Sequence, residues 1–253
     1  MNKILLSVII PCFDEMANLQ KGVLDKVEHF LEKKGLPYEV IVVDDGSMDG
    51  SIDFIEDFIK ENHHFHLIKG AHYGKAGAVT QGVLAAIGEY VLFTDMDQAA
   101  PIEEVNKLLP YFEKGYDVVI GSRGAVRKGA PWTRALMGRG MIFLRGMIIG
   151  LRDIQDTQCG FKMFSRNAAK EIFTKLNTLH KGFHAISGSN VAAGFDVEML
   201  YLAESLDYKI KEVPVRWLYV ETRRVNPIFD SIEGLKGLFV IKRNAITGVY
   251  RTL

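Results

Sequence analysis

The amino-acid sequence predicts an α/β protein with a mainly parallel central sheet that is flanked by helices. Two observations support this prediction. Short apolar runs, which are typical of strands buried on both faces, alternate with longer segments whose apolar residues recur at helical spacing. The 253 residues are 48% hydrophobic and 25% charged, a composition and length that suit one globular domain with at most a small appendage. The two cysteines exclude a disulfide framework.

The first half of the chain carries the clearest alternation. An apolar run at residues 4–10 ends at Pro11, as expected for a buried first strand. The next segment has Leu19, Val23 and Val27 at helical spacing, and Pro101 opens a later helix at the first-turn position that proline favours. In chain order, we predict strands at residues 4–10, 38–43, 66–69, 90–94 and 117–120, and helices at residues 18–34, 50–62, 75–87 and 101–114.

The alternation weakens after residue 121. We predict helices at residues 132–150, 167–176 and 197–205, a strand at 213–219, and a C-terminal helix that follows Pro227 and runs to about residue 250. No internal repeat, low-complexity tract or linker interrupts the chain. We therefore predict one domain at residues 1–222, divided into halves 1–121 and 122–222, and a C-terminal amphipathic helix within residues 223–253.

The overall charge is balanced, with 31 basic and 31 acidic side chains, which argues against a surface built to bind nucleic acid. Residues 39–59 nevertheless contain seven acids and no Lys or Arg, whereas residues 121–152 contain seven bases and no acid. These segments are either two solvated faces or the parts of a site that serve one polyanionic ligand. No apolar run is long enough for a membrane span or a signal-peptide core, so we expect a cytoplasmic protein.

Polar residues cluster directly after four of the predicted strands, at residues 11–15, 44–50, 70–77 and 95–98. Ligands of open α/β sheets bind beyond the carboxyl ends of the strands, so these clusters predict the edge that carries the site. Asp95-Met96-Asp97 is the central motif, because carboxylates at positions i and i+2 can point the same way and bridge a hard divalent cation to a diphosphate. Alone, such triplets also occur in ordinary turns.

Two further clusters each have a structural and a functional interpretation. Asp44 and Asp45 follow a strand, where they either form a turn and helix cap or accept hydrogen bonds from a base or a ribose. The segment at residues 70–77 lacks the spacing and the Ser or Thr of a P-loop, which excludes P-loop NTPases, and no G-x-G-x-x-G follows a strand. Lys75 in this segment is either a nucleotide contact or a solvated helix residue.

Other candidate centres are disfavoured. His63, His64 and His66 occur without a cysteine or a spaced acid, which argues against a metal site. Cys12 and Cys159 lack a catalytic His/Asn arrangement in sequence and are expected to be buried structural thiols.

The motifs taken together resemble the family-two glycosyltransferases of the GT-A fold. The similarity is greatest to the dolichyl-phosphate glucosyltransferase group and its bacterial polyprenyl-phosphate relatives. The matching segments run in family order at residues 7–15, 42–50, 74–79, 94–97, 121–123, 156–162, 195–198 and 212–217. The earlier segments indicate the broad superfamily, and Asp156-Thr-Gln-Cys-Gly-Phe-Lys162 with Phe195-Asp-Val-Glu198 is the more specific signature of the polyprenyl-phosphate group.

This resemblance implies an inverting, metal-dependent transferase that moves a sugar from a nucleotide-diphosphate-sugar to a polyprenyl or dolichyl phosphate, with glucose as the expected sugar and UDP-glucose as the expected donor. Asp95 and Asp97 would hold Mg²⁺ or Mn²⁺, and Asp196, Asp97 and Arg123 would be catalytic. The implied nucleotide-sugar-binding residues are Pro11, Phe13, Glu15, Asp44, Asp45, Lys75, Asp95, Met96 and Asp97. The candidate acceptor-phosphate residues are Arg123, Arg127, Arg134, Arg139 and Gln158. Residues 1–121 would form the nucleotide-sugar half and residues 122–222 the acceptor half.

A lipid monophosphate is already an anion near pH 7, so it needs cations to position it more than it needs a general base. Two alternatives stay open at this stage: a saccharide or protein hydroxyl acceptor with Asp196 as general base, and a nucleotide-sugar-binding protein without turnover. The C-terminal helix has basic residues beside an apolar face. It either lies peripherally on the cytoplasmic face of the membrane or packs on the domain with a solvated polar face.

Overall fold

The structure is a computed structural model that describes residues 3–123, 132–183, 194–218 and 227–252. In residues 132–139 and 227–233 and at residue 252, only the backbone is described. The strands are β1 (Leu6–Cys12), β2 (Tyr38–Asp44), β3 (Phe65–Lys69), β4 (Tyr90–Thr94), β5 (Val118–Ser122), β6 (Phe161–Ser165) and β7 (Ile210–Pro214).

Helices flank these strands in the described part of the chain. They are α1 (Met16–Leu19), α2 (Val23–Lys34), α3 (Ser51–Glu61), α4 (Gly74–Ala85), α5 (Val105–Leu108), α6 (Pro110–Glu113), α7 (Trp132–Ile149), α8 (Arg166–Leu179), α9 (Phe195–Ser205), α10 (Pro227–Ile246) and α11 (Val249–Thr252), with a 3₁₀ turn at Ile102–Glu104.

One seven-stranded sheet has the order β3-β2-β1-β4-β6-β5-β7. Every neighbouring pair is parallel except the two that involve β6, which runs antiparallel to β4 and to β5. The prediction of a mainly parallel α/β sheet is therefore confirmed. The chain leaves β1 toward β2 on one side and later returns to β4 on the other. The carboxyl ends of these strands consequently border a crevice at the point where the strand order reverses.

Strand β6 was missed from the sequence, and several predicted boundaries were wrong. Residues 161–165 carry Lys162 inside an apolar run, and their pairing depends on distant strands that no local pattern reveals. The helix predicted at 18–34 breaks at Gly22, whose φ of 70° is left-handed. The helix predicted at 101–114 is divided into a 3₁₀ turn and two short helices, and the strand predicted at 213–219 instead occupies Ile210–Pro214.

Apolar clusters cover both faces of the sheet. Alternate β1 residues contribute to opposite clusters, with Ile9 in one and Val8 and Ile10 in the other, which is the period-two pattern of a strand buried on both sides. The cluster that contains Ile9 also includes Leu238 and Ile241 of α10. The C-terminal helix therefore packs on the domain through these residues. No helix in the described ranges combines the length and the apolar character needed to cross a lipid bilayer.

Candidate active site

The loops that follow β1 and β2 are tied to each other. The Asp14 carboxylate accepts a hydrogen bond from the Met48 backbone N–H at 2.8 Å, and the Asp14 N–H donates to Ser47 Oγ at 2.9 Å. Asp49 accepts from the Met16 N–H at 2.9 Å. These contacts join the two loops at the carboxyl edge of the strands, so that the segment with Pro11 and Glu15 lies beside the loop that carries Asp44 and Asp45.

Asp44 and Asp45 both accept hydrogen bonds from backbone N–H groups. Asp44 Oδ2 accepts from the N–H groups of Gly46 and Ser47 at 2.9 and 3.0 Å. The carboxylate of Asp45 accepts from the N–H groups of Tyr73 and Gly74 at 2.7 Å each, at the start of α4. Burial raises the pKa of Asp45, although these two hydrogen bonds act in the opposite direction.

One oxygen in this pair has no partner among the described residues. Asp44 is fully buried, and its Oδ1 atom makes no hydrogen bond within that part of the chain. Buried polar atoms are nearly always hydrogen-bonded in native proteins. Asp44 Oδ1 is therefore the better candidate of the two residues for an acceptor that faces a ligand.

An aromatic pair lies beside the same loops. The rings of Phe13 and His72 stack with centroids 4.4 Å apart and planes inclined by 25°. His72 Nδ1 also lies 2.9 Å from the Asp45 carbonyl oxygen, so the histidine ring is held against the second strand loop. Phe13 was expected in the site from the resemblance; His72 was not, because no sequence pattern relates it to Phe13.

Asp95 lies just after β4, between a cation and a glycine. Its Oδ1 atom forms an ion pair with Lys75 Nζ of α4. A Cβ atom at Gly160 would lie only 2.0 Å from Asp95 Oδ2, so the carboxylate occupies space that any larger residue at position 160 would fill. The close approach explains why the segment that precedes β6 has a glycine at this position.

Asp97 and Glu15 add negative charge near Asp95. Asp97 is half-buried and accepts a hydrogen bond from the Ala99 N–H at 3.0 Å. Burial raises the pKa of Asp97, and the charge of Asp95 acts in the same direction. Burial also raises the pKa of Glu15, where the charges of Asp97 and Asp95 add to the effect. These carboxylates therefore lie within electrostatic reach of one another and resist simultaneous ionisation.

Met96 lies between the two aspartates and Gln98 follows them, and these two residues have different surroundings. Met96 is 2% exposed and packs in an apolar cluster, so its side chain faces the core and only its backbone borders the site. Gln98 adopts a left-handed φ of 49°, and its Oε1 atom is buried without a hydrogen-bond partner in the described ranges. Sequence reasoning missed Gln98, because only its three-dimensional surroundings distinguish it from an ordinary turn residue.

The side-chain oxygen atoms at this position suit a hard divalent cation as ligands. Asp95 and Asp97 supply carboxylate oxygens, which Mg²⁺ and Mn²⁺ prefer. Burial and, to a smaller extent, repulsion from Asp95 raise the pKa of Asp97, and a cation between the two carboxylates would relieve that repulsion. Within the described residues, no preassembled cluster of three or more His, Cys, Asp or Glu side chains has metal-binding geometry.

Asp196 forms the most buried ion pair of the site. Lys162 of β6 is fully buried, and its Nζ donates to Asp196 Oδ1 at 2.6 Å and to the Cys159 carbonyl oxygen at 2.6 Å. The ammonium also lies 5.2 Å from the centre of the Phe93 ring. Asp196 lies in the first turn of α9, where the helix dipole favours an acid. Lys162 belongs to the motif Asp156–Lys162, but the sequence does not reveal its partner.

Lys75 brings the two main motifs into one site. Burial acts to lower the pKa of Lys75, but the charges of Asp95, Asp196 and Asp97 outweigh burial and raise it. The ammonium of Lys75 therefore lies within electrostatic reach of the Asp95-Met96-Asp97 motif and of Asp196 in the segment Phe195–Glu198. Acidic residues that are a hundred positions apart in sequence therefore act electrostatically on one lysine at the carboxyl edge of the sheet.

Arg123 is engaged by a carboxylate. Its Nε and Nη2 atoms donate to the two oxygens of Asp156 at 2.7 Å each, and its guanidinium lies 5.2 Å from the Trp217 ring centre. Burial acts to raise the pKa of Asp156, but the Arg123 guanidinium outweighs burial and lowers it. Glu212 holds the loop by accepting from the N–H groups of Gln155 and Asp156 at 2.7 and 2.9 Å. The bidentate pair fixes the plane of the guanidinium.

The remaining candidate acceptor residues are only partly described. Gln158 is exposed two residues beyond Asp156, whose carboxylate accepts from the Gln158 N–H at 3.2 Å. Arg127 lies outside the described residues, and Arg134 and Arg139 lie in the part of α7 where the backbone alone is described. Arg145, further along α7, is buried and donates to Thr157 Oγ1 at 3.2 Å and to the Ile154 carbonyl oxygen. Arg145 thus supports the loop that carries Asp156.

Comparison with known proteins agrees with this architecture. Residues 7–173 match the model of the family described as Glycosyl transferase family 2. The dolichyl-phosphate beta-glucosyltransferase of Saccharomyces cerevisiae is 34% identical over 274 residues, an alignment that covers 98% of this chain and 77% of the relative. The protein of that name from Drosophila melanogaster is 34% identical over 266 residues, covering 97% of this chain and 77% of the relative.

A solved structure supports the fold. Mannosyl-3-phosphoglycerate synthase from Rubrobacter xylanophilus superposes with a TM-score of 0.60 at 16% identity, over 97% of this chain and 75% of that one. The GT-A architecture expected from the resemblance is therefore confirmed. With the family match over residues 7–173 and relatives at 34% identity along almost the whole chain, the protein belongs to glycosyl transferase family 2.

Proposed function

We propose that this glycosyltransferase moves glucose from UDP-glucose to a dolichyl or other polyprenyl phosphate, with inversion at the anomeric carbon. The observation that carries the proposal is the position of Asp95 between Lys75 and Gly160, because it brings the donor motif against the Asp156–Lys162 segment, the signature of the polyprenyl-phosphate group. The names of the relatives that are 34% identical over nearly the full chain support the sugar and the acceptor.

In this proposal the donor lies across the carboxyl ends of β1, β2 and β4. Pro11, Phe13 and Glu15 line the nucleoside side, and the unpartnered Asp44 Oδ1 accepts a hydrogen bond from the base or the ribose. Asp45 contributes by holding the start of α4, through its bonds to Tyr73 and Gly74.

Asp95 and Asp97 would hold Mg²⁺ or Mn²⁺ against the diphosphate. When bound, such an ion neutralises the charge that develops on the departing nucleoside diphosphate. The half-buried setting of the two carboxylates strengthens their interaction with a cation, because less water competes for it than at an exposed surface.

The acceptor phosphate is proposed to lie near Arg123 and Gln158, on the side of the site that the basic segment borders. A phosphate monoester has a second pKa of about 6, so it is largely ionised at neutral pH and can attack without a general base. Arg123 offers its remaining N–H groups to a phosphate while Asp156 fixes the guanidinium plane. Arg127, Arg134 and Arg139 are proposed as further cations for the same group.

Asp196 is proposed to orient a hydroxyl of the transferred sugar. Its Oδ1 atom is held by Lys162 at 2.6 Å, which leaves Oδ2 for a ligand. A carboxylate that is held this firmly is suited to positioning a sugar ring. The Asp196→Asn variant tests this role against that of a general base for a hydroxyl acceptor, because loss of a required base would nearly abolish turnover with UDP-glucose binding retained.

The membrane surface is proposed as the place of the reaction, at its cytoplasmic face. Helices α7 and α10 contact each other and expose large apolar side chains: Phe143, Leu144 and Met147 on α7, and Phe239, Val240 and Ile246 on α10. Lys242, Arg243 and Arg251 lie along the same C-terminal region. We propose residues 1–121 as the donor half, 122–222 as the acceptor half and 223–253 as the membrane-contacting segment.

Transfer of label to lipid tests the proposal. Purified protein, UDP-[¹⁴C]glucose, dolichyl phosphate and MnCl₂ should yield an organic-soluble glucolipid, and EDTA should abolish its formation. GDP-mannose in place of UDP-glucose tests the donor, and a short oligosaccharide in place of dolichyl phosphate tests the acceptor. The absence of any lipid-linked product with either nucleotide sugar would overturn the proposal. Formation of labelled oligosaccharide would show that the acceptor is a hydroxyl group and not a lipid phosphate.

A further inference from the structure

We infer that Lys75 is an exchangeable counter-ion that occupies Asp95 until a nucleoside diphosphate draws it away, so that the divalent cation and the nucleotide bind interdependently. This inference rests on the proposed donor site and adds a role for one residue of that site. Asp95 Oδ1, an oxygen that a metal ion would use, is the atom that pairs with Lys75 Nζ.

The surroundings of Asp95 restrict the access of a metal ion to its carboxylate. Asp95 Oδ2 lies against Gly160, where even a Cβ atom would come within 2.0 Å of it. Because one oxygen faces this backbone and the other holds an ammonium, full access to the carboxylate requires Lys75 to move. The side chains of Lys75 and Asp95 are 28% and 29% exposed, so a ligand can reach the pair from solvent.

The position of Lys75 in its helix indicates that the ion pair holds it there. Lys75 is the second residue of α4, where the positive end of the helix dipole repels a cation. Asp95, Asp196 and Asp97 supply the compensating negative charge. Lys162 already pairs with Asp196 at 2.6 Å, and Lys75 is the cation that pairs with Asp95 among the ion pairs of the described residues.

A diphosphate changes this balance. Its oxygens are strong acceptors for an ammonium, and the N-terminal end of α4 attracts the same anion. As Lys75 transfers from Asp95 to a phosphate oxygen, Asp95 and Asp97 are left with two uncompensated negative charges that a divalent cation neutralises. Without the nucleotide, the metal ion has to displace the ammonium and lose that ion pair. Metal and nucleotide therefore increase each other's affinity by the same factor.

The test is Mn²⁺ binding, measured by electron paramagnetic resonance of the free ion, with and without UDP. In the wild-type protein, UDP should tighten Mn²⁺ binding by about tenfold or more. In the Lys75→Met variant, Mn²⁺ should bind several-fold more tightly than to the wild-type protein when UDP is absent, and the gain from UDP should shrink. Lys75→Arg keeps a cation on Asp95 and should bind Mn²⁺ without UDP as weakly as the wild type.

Lys21→Met is the matched control. Lys21 is exposed and acts on Asp97 through its charge, but its ammonium contacts Asn18 Oδ1 at 3.2 Å and is not paired with Asp95. If Lys21→Met and Lys75→Met raise Mn²⁺ affinity equally, the general loss of a positive charge explains the result and the proposed exchange of Lys75 is wrong. If Lys75→Met binds Mn²⁺ no more tightly than the wild type while UDP still promotes binding, the exchange is wrong and the metal site stands. If the wild type binds no Mn²⁺ even with UDP, the metal assignment itself is overturned.

Discussion

Lys162 Nζ lies 2.6 Å from Asp196 Oδ1 and thereby joins strand β6 to the first turn of α9 in the interior of the protein. The lysine side chain is fully buried, and the aspartate side chain is 11% exposed. The pair connects the segment Asp156–Lys162 with the segment Phe195–Glu198, so the two most specific motifs of the chain act as one structural unit. Lys162 is a positioning residue in this arrangement, because its contacts are with Asp196 and the Cys159 carbonyl and not with a ligand.

Removing one partner of this pair should destabilise the protein strongly. Lys162→Met leaves Asp196 as an unpaired charge, for which a loss of about 3–5 kcal/mol in the free energy of unfolding is typical. Lys170→Met, at an exposed position on α8, is the control and should change stability by less than about 0.5 kcal/mol. Urea denaturation measures both. The double variant Lys162→Met/Asp196→Leu should recover part of the loss, and a double variant that is worse than Lys162→Met alone would contradict this account.

A buried hydrogen bond joins α11 to α9. Tyr250 OH donates to Glu198 Oε1 at 2.6 Å, while Glu198 Oε2 lies 2.7 Å from His180 Nε2. Tyr250→Phe should lower the free energy of unfolding by about 1–3 kcal/mol, because a buried carboxylate loses a partner. Tyr201→Phe removes a hydroxyl from the ring that packs on Tyr250 at 5.3 Å and should have a smaller effect. Equal losses of stability in the two variants would argue against the Glu198 contact.

The two cysteines should be inert in the folded protein. Burial raises the pKa of the Cys12 thiol from 9.0 to about 12 and that of Cys159 to about 11. Since the thiolate is the reactive form, Ellman's reagent at pH 8 should label the native protein slowly and should titrate two thiols per chain after denaturation. Rapid labelling of either cysteine in native conditions would contradict the buried environment.

The same shifts predict a loss of stability in alkali. Because each thiol has a higher pKa in the folded state than in the unfolded state, the unfolded chain loses protons first as the pH rises. The resulting stabilisation is fully present below about pH 9 and disappears as the pH rises toward the folded values of about 11 and 12. Cys12→Ala should reduce the slope of unfolding free energy against pH between 9 and 11, which urea denaturation at several pH values can measure.

Arg123 and Asp156 should act as a pair on the acceptor. Asp156→Asn keeps the size of the side chain but removes the charge that orients the guanidinium at 2.7 Å. We expect the KM for the lipid phosphate to rise by about tenfold, because a guanidinium that is no longer held in place binds the phosphate less tightly; tenfold corresponds to about 1.4 kcal/mol. The KM for UDP-glucose should change little. Initial rates at varied concentrations of each substrate measure this difference. Equal increases in both values would argue that the loop affects the whole site.

The apolar side chains on α7 and α10 should determine membrane binding. Phe239 is 63% exposed on α10, and Phe239→Asp should reduce co-flotation with vesicles that contain anionic lipid, because it places a charge on the apolar surface that we propose as membrane-contacting. Ile87→Asp is the control, since Ile87 is 57% exposed at the end of α4 and outside the proposed surface. Loss of flotation in both variants to the same extent would contradict a specific surface at α7 and α10.

The sequence determined much of this protein without the structure. Continuous apolar runs predicted strands β1, β2 and β4, because a strand covered on both faces needs apolar side chains on both. The polar clusters that follow these strands predicted the edge that carries the candidate site, because the carboxyl ends of parallel strands lie together. The ordered motifs indicated glycosyl transferase family 2, which the match over residues 7–173 confirms.

The tertiary structure decided the partners of the charged residues. No local pattern shows that β6 inserts antiparallel between β4 and β5, and only that insertion brings Lys162 to Asp196 and Gly160 against Asp95. Tertiary structure also places Asp45 at the start of α4, Met96 in the core and Arg123 against Asp156. The physical reason is that periodicity reports which side of an element is buried, whereas an ion pair depends on distances between segments that are far apart in sequence.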